Sequence, residues 1–170
     1  MNKQTQKVVF SSKSAEWETP QDFFDRLDDT WNFTLDPCCT KVTAKCKTFY
    51  TASDDGLSKD WGGHTVFMNP PYGRTIGQWV KKAYEEGKKK NTCVVCLLPA
   101  RTCTKWFHNY CMKADQLHFV KGRLKFRNRT GSLTSGKSSV FPAPFPSVVV
   151  IFGCMASLNA TNVTAHTMER

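Results

Sequence analysis

The chain is built from short apolar segments whose spacing switches between that of a strand and that of a helix. Thr19-Pro20-Gln21-Asp22 predicts a helix start, with Thr19 as N-cap, Pro20 at the first helical position and Asp22 in the first turn, where a carboxylate suits the helix dipole. Phe23, Phe24, Leu27 and Trp31 then keep one face apolar. A short strand over 33–36 ends at Pro37, and 48–50 suits another. His64 to Met68 predicts a buried strand that runs directly into Asn69-Pro70-Pro71-Tyr72. Ile76, Trp79, Val80, Ala83 and Tyr84 recur at helical spacing, and Gly87 with Lys88 to Lys90 closes that helix. Residues 92–98 predict a strand stopped by Pro99, 104–112 a helix, 116–120 a strand and 147–152 a last strand. The basic stretch from Lys121 to Ser139, rich in glycine and serine, reads as a loop.

Strands alternating with helices imply an α/β fold, a doubly wound and mostly parallel sheet with helices on both faces. Ligands bind such sheets beyond the carboxyl ends of the strands, which is where the unusual residues fall. No repeat or linker divides the chain. The expected organisation is a polar tail over 1–14, a single domain over 15–155 and a C-terminal tail over 156–170.

Composition narrows this further. A chain of 170 residues, 40% hydrophobic, supports one domain with its own core and needs no staple. The formal charge is +10, and it is uneven: no acidic residue lies between Asp115 and Glu169, whereas six basic residues fall from Lys121 to Lys137. That asymmetry is the footprint of a polyanionic partner, with a merely basic surface as the alternative. No apolar run approaches the ~20 residues of a membrane span, and the N-terminus lacks the apolar core of a signal peptide. Cys93, Cys96, Cys103 and Cys111 sit in patterned apolar segments, so the expectation is an intracellular, cytoplasmic protein with reduced thiols.

Asn69-Pro70-Pro71-Tyr72 carries the strongest chemical signal. An exocyclic amine on a heterocycle is a poor nucleophile because its lone pair is delocalised into the ring. Two acceptors aimed at its two N–H groups favour a pyramidal nitrogen and free that lone pair. The Asn69 side-chain oxygen and the Pro70 carbonyl suit this task, since the two prolines fix the backbone that aims them. Tyr72 offers a ring on which a base can stack. The competing account is a rigid Pro-Pro turn at a strand end.

Asp54-Asp55-Gly56-Leu57, Asp60-Trp61 and Asn69-Pro70-Pro71-Tyr72-Gly73 together resemble the amino-methyltransferases that use S-adenosylmethionine. More narrowly, the chain from about residue 14 to 153 is similar to the phage-type DNA N6-adenine methyltransferases. The supporting segments are Trp17-Glu18-Thr19-Pro20, Leu35-Asp36-Pro37-Cys38, Ala44-Lys45-Cys46, 97–102, 105–108, 122–126 and 144–147.

The resemblance implies a Rossmann-like class I methyltransferase fold that binds S-adenosylmethionine. Within it Trp17, Thr19 and Pro20 line the methionine end of the methyl donor, Asp36 stands near the sulfonium and amino group, and Asn69 borders the donor as well as the base. Asp55 receives the adenine amino group of that donor, and Asp54 is the candidate for its ribose. Carboxylates fit this role because the donor offers an ammonium, two hydroxyls and an amino group. Taken alone, Asp36 before a proline and Asp55-Gly56 are also ordinary turn residues. Two departures stand out: Pro37-Cys38-Cys39-Thr40 replaces a glycine-rich turn, and Cys103 stands where an acidic residue is expected, which bears on Arg101.

Phe126 is either the second ring that stacks on a flipped base or a core phenylalanine. Lys121, Arg123, Lys125, Arg127 and Arg129 around it, with Arg101, are the expected phosphate contacts; the alternating pattern also describes a strand with one solvated face. No metal site is expected, because Cys93 and Cys96 lie three apart on a strand and point to opposite faces. The sequence therefore predicts methyl transfer to N6 of an adenine flipped out of duplex DNA, in the cytoplasm of a bacterial host if phage-encoded. N4-cytosine, RNA or protein-amide methylation, or a non-catalytic nucleic-acid-binding protein of the same fold, are the alternatives.

Overall fold

The computed structural model describes residues 17–127, 140–154 and 164–168. Its elements follow in the order α1 (Gln21–Trp31), β1 (Leu35–Asp36), β2 (Thr48–Phe49), β3 (Thr65–Met68), α2 (Ile76–Glu86), β4 (Cys93–Pro99), α3 (Lys105–Asn109) and a 3-10 turn (Cys111–Lys113). After these come β5 (Gln116–Val120), β6 (Lys125–Arg127), β7 (Val140–Pro142), β8 (Ser147–Phe152) and β9 (Thr164–Met168).

Seven strands form one sheet in the order β2-β1-β3-β4-β8-β5-β9. Strands β2, β1, β3 and β4 are mutually parallel, β8 runs antiparallel between β4 and β5, and β9 is parallel to β5. With helices packed against it, this mostly parallel sheet is consistent with the expected α/β methyltransferase fold. The core is the apolar ladder through its centre: Val66, Val94, Val95, Leu97, Leu98, Val148, Val149 and Val150 are fully buried. Strand β8 is buried along its whole length, as a strand covered on both faces must be. From β1 the chain steps outward to β2 and then returns to the other side of β1 as β3. That reversal opens a crevice beyond the carboxyl ends of β1 and β3.

The helix faces follow the apolar spacing, with Phe23, Phe24 and Leu27 buried on α1 and Ile76, Val80 and Ala83 on α2. Four expectations need correction. Pro20, not Thr19, takes the cap position of α1, and no side chain caps that end; the Thr19 hydroxyl is engaged elsewhere. Residues 125–127 and 140–142, read as loop and its edge, pair as an antiparallel ribbon. Leu124 and Phe126 point inward while Arg123 and Lys125 are exposed, so the alternation is that of a strand with one solvated face. Residues 164–168, expected within a C-terminal tail, join the sheet edge as β9.

The thiols are the fourth correction. Cys93 and Cys154 are joined as a disulfide, with Cα atoms 4.6 Å apart. Antiparallel pairing of Val94 with Phe152 brings the start of β4 beside the chain leaving β8. Cys38, Cys39, Cys46, Cys96, Cys103 and Cys111 are free. No helix among the described residues is long and apolar enough to cross a membrane. The expected tail over 1–14, Arg129 and the glycines at 131 and 136 lie outside the described residues.

Candidate active site

A cavity of about 290 Å³ opens at the crevice. Its walls come from the segments that follow three neighbouring strands: Asp36 to Thr40 after β1, Thr51, Ala52, Asp55 and Gly56 after β2, and Asn69 to Pro71 after β3. Trp17, Glu18 and Thr19 close it from the N-terminal side, and Trp79 of α2 completes it.

Asp36 ends β1 with only 4% of its surface exposed. Its carboxylate accepts backbone N–H bonds from Lys45 at 3.2 Å and Cys38 at 3.4 Å. Burial nevertheless dominates and pushes its pKa up to about 6. A cationic ligand beside it would restore the charged form. Burial, with Asp36 alongside, also raises the neighbouring thiols, Cys39 and Cys46 to about 12, so both are protonated near neutral pH and poor nucleophiles.

Asp55 lies at the opposite, β2 side of the cavity, in a turn with φ 51°. Gly56 follows it and packs against the Pro37 backbone. Its carbonyl accepts the indole N–H of the fully buried Trp61 at 3.0 Å, and Trp61 stacks on Trp79. Trp61 is anchored in turn by Glu86, which accepts its backbone N–H at 3.0 Å and is paired with Lys82 and Lys89. The Asp60-Trp61 segment thus holds the Asp55-Gly56 turn in place.

At the third side, the Asn69 side-chain nitrogen donates to the Trp17 carbonyl at 2.5 Å and to Thr19 Oγ1 at 2.8 Å. This is where the Thr19 hydroxyl goes instead of capping α1. Asn69 Oδ1 is buried and has no partner, a property it shares with Ser147 Oγ among the described residues. A buried acceptor left unmade costs about 1–3 kcal/mol, and such atoms in native folds call for an explanation. The Pro70 carbonyl also accepts no hydrogen bond among the described residues.

Of the residues singled out from sequence, Trp17, Thr19, Asp36, Asp55, Asn69, Pro70 and Pro71 line the cavity together. Pro20 and Asp54 do not. The Asp54 carboxylate instead accepts the Thr51 N–H at 2.8 Å and the Thr51 hydroxyl at 2.7 Å, bonds that hold its pKa below the usual carboxylate range and fold its own turn. Tyr72 is buried outside the cavity, with its hydroxyl donating to the Leu97 carbonyl at 3.1 Å. Tyr72 and Phe126, expected on two faces of a base, touch edge to face at 6.3 Å, and both rings also meet Phe145. Trp17 packs on Phe126 and Phe145 at 5.6 and 5.2 Å. The four rings pack against one another.

Arg101 follows β4, while Lys121 and Arg123 follow β5; both strands end at the carboxyl edge that carries Asn69. Arg101, Lys121 and Arg123 are exposed, as is Lys125 of the β6-β7 ribbon. In the sequence Trp79 falls on the apolar face of a helix and Lys45 in a family segment, but nothing there gives either of them, or Thr43, a role at the site. Trp79 sits at core spacing on α2, and nothing local separates it from a packing residue.

The profile of the DNA N-6-adenine-methyltransferase (Dam) family matches residues 6–168. A relative from Haemophilus phage HP1 (strain HP1c1), named DNA N-6-adenine-methyltransferase, is 31% identical over 160 residues, covering 90% of this chain and 88% of its own. Another of the same name, from Escherichia phage T1, is 30% identical over 110 residues, or 64% of this chain and 45% of its own. With a match that runs almost end to end, the chain belongs to the DNA N-6-adenine-methyltransferase family.

Proposed function

We propose that this protein methylates N6 of adenine in DNA, with S-adenosylmethionine as donor and the target base rotated out of the duplex. Family membership supports the reaction, and the unpartnered Asn69 Oδ1 beside the cavity is the observation that supports the site. The lining suits the donor's chemistry: Asp36 can accept an ammonium, Asp55 offers a carboxylate to hydroxyl or amino donors, and Trp79 gives an apolar wall. When bound, S-adenosylmethionine supplies a methyl group on a positive sulfonium, whose leaving group is neutral.

Asn69 Oδ1 and the Pro70 carbonyl accept the two hydrogens of the adenine amino group. Acceptors in those two directions stabilise a tetrahedral nitrogen, so charge developing there meets dipoles already in place. With the donor held in the cavity, the new N–C bond would replace the donor's S–C bond, and the extra proton would leave the nitrogen for solvent. No strong base is required, and positioning supplies most of the acceleration. Tyr72 and Phe126 part to take the base between them, and Arg101, Lys121, Arg123 and Lys125 meet phosphates. Extruding the base costs a few kcal/mol, which backbone contacts and stacking offset.

Labelled methyl transfer to duplex DNA, followed by nucleoside analysis, tests this directly. The expected product is N6-methyladenine, and Asn69→Ala abolishes transfer while retaining donor binding by calorimetry. N4-methylcytosine as the product, or full activity in Asn69→Ala, refutes the reading.

A further inference from the structure

The geometry points to Thr19 as a positioning residue that, with the Trp17 carbonyl, fixes which way the Asn69 amide faces. This inference rests on the proposed role of Asn69 and adds what makes that role possible. An asparagine amide can present either end, and the wrong end would offer a donor to an amino group that is itself a donor. Here the ambiguity is removed. The Trp17 carbonyl is only an acceptor, so it requires the nitrogen on its side. Thr19 Oγ1 takes the second amide hydrogen at 2.8 Å, and Thr19 is 4% exposed, so water does not compete for that bond. With both hydrogens engaged, Oδ1 is left as the one unmet atom of the side chain.

The clamp also explains why an amide stands here. A carboxylate at 69 keeps one unpartnered acceptor, yet its second oxygen would face the Trp17 carbonyl, acceptor against acceptor.

Thr19→Val removes the hydroxyl at nearly constant shape. We expect the single-turnover methylation rate at saturating donor to fall roughly ten- to a hundredfold, in line with small misplacements elsewhere, a loss in the chemical step beyond any change in donor affinity that Thr19, as a cavity-lining residue, brings. Thr19→Ser, which keeps the acceptor, restores most of the rate. Asn69→Asp loses more than about a hundredfold despite its remaining acceptor. A Thr19→Val enzyme at the wild-type rate, a Thr19→Ser enzyme as slow as Thr19→Val, or a Thr19→Val defect that lies wholly in donor binding would each overturn the inference.

A readout independent of catalysis separates failure of this inference from failure of the functional reading. The Asn69 side-chain amide resonance is identified by its disappearance in Asn69→Ala. It should exchange slowly with water in the wild type and at least about tenfold faster in Thr19→Val. Equal exchange in the two proteins argues against the clamp, whatever the protein methylates.

Discussion

Gly56 lies so near Pro37 that a β-carbon built on it would fall 2.0 Å from the Pro37 carbonyl oxygen. Two walls of the cavity, one after β1 and one after β2, meet at that contact. The obstacle is backbone, which cannot rotate away as a side chain would. Gly56→Ala should therefore move the Asp55 turn outward and lower stability by about 1–3 kcal/mol. Donor binding, followed by calorimetry, should weaken at least about tenfold, because two carboxylates placed for one ligand lose their spacing. Unchanged affinity would mean that Asp55 does not hold the donor.

Asp36 ties function to stability with opposite signs. Its folded pKa of about 6 lies above the unfolded value of 3.8. The folded protein thus binds this proton more tightly than the unfolded chain, and stability falls as pH rises from about 4 to about 6, then levels. The displacement is worth about 3 kcal/mol as an upper figure. Asp36→Asn should raise Tm by a few degrees at pH 7.5 and eliminate tight donor binding. In the wild type, donor affinity should fall as pH drops through about 6. A lower Tm for Asp36→Asn would show that the Lys45 and Cys38 bonds outweigh the burial cost.

The ring cluster of Trp17, Tyr72, Phe126 and Phe145 has to open if a base enters between Tyr72 and Phe126. Adding DNA with a mismatched target adenine, where extrusion is cheapest, should change tryptophan emission. Trp17→Phe should remove most of that change while keeping the main-chain carbonyl that Asn69 uses. An identical emission change in Trp17→Phe would place the response elsewhere.

The exposed cations predict a salt signature. Neutralising Lys121, Arg123 and Lys125 together should weaken DNA binding at every sequence. It should also reduce the slope of log affinity against log salt by about 0.9 for each phosphate that is no longer neutralised. Donor affinity should not change. A slope equal to that of the wild type would remove these residues from the interface.

Much of the arrangement is readable in the sequence because it is local. The strand into Asn69-Pro70-Pro71-Tyr72, the apolar face of α2, and strands β5 and β8 all follow from spacing within a few residues. What escaped depends on distant partners. Nothing in Ser147 to Phe152 says that it runs against both neighbours, since direction is set by the crossover and not by pattern. Thr19 fits an N-cap so well that only the fold, which brings Asn69 to it across fifty positions of sequence, reveals its other partner. Asp54 and Asp55 both read as donor ligands in sequence; in the fold Asp54 bonds Thr51 and Asp55 lines the cavity. Cys93 and Cys154, 61 positions apart, become neighbours only once β4 and β8 pair.

Placing β8 between β4 and β5 has a consequence for biosynthesis. While the ribosome is still short of Ser147, β4 and β5 each present a raw backbone edge to the surroundings. The sheet cannot become continuous until β8 has emerged, about fifty residues after β4 begins, and pairing across such sequence separations is slow. Premature termination upstream of β8 should therefore yield insoluble fragments in place of a smaller working enzyme.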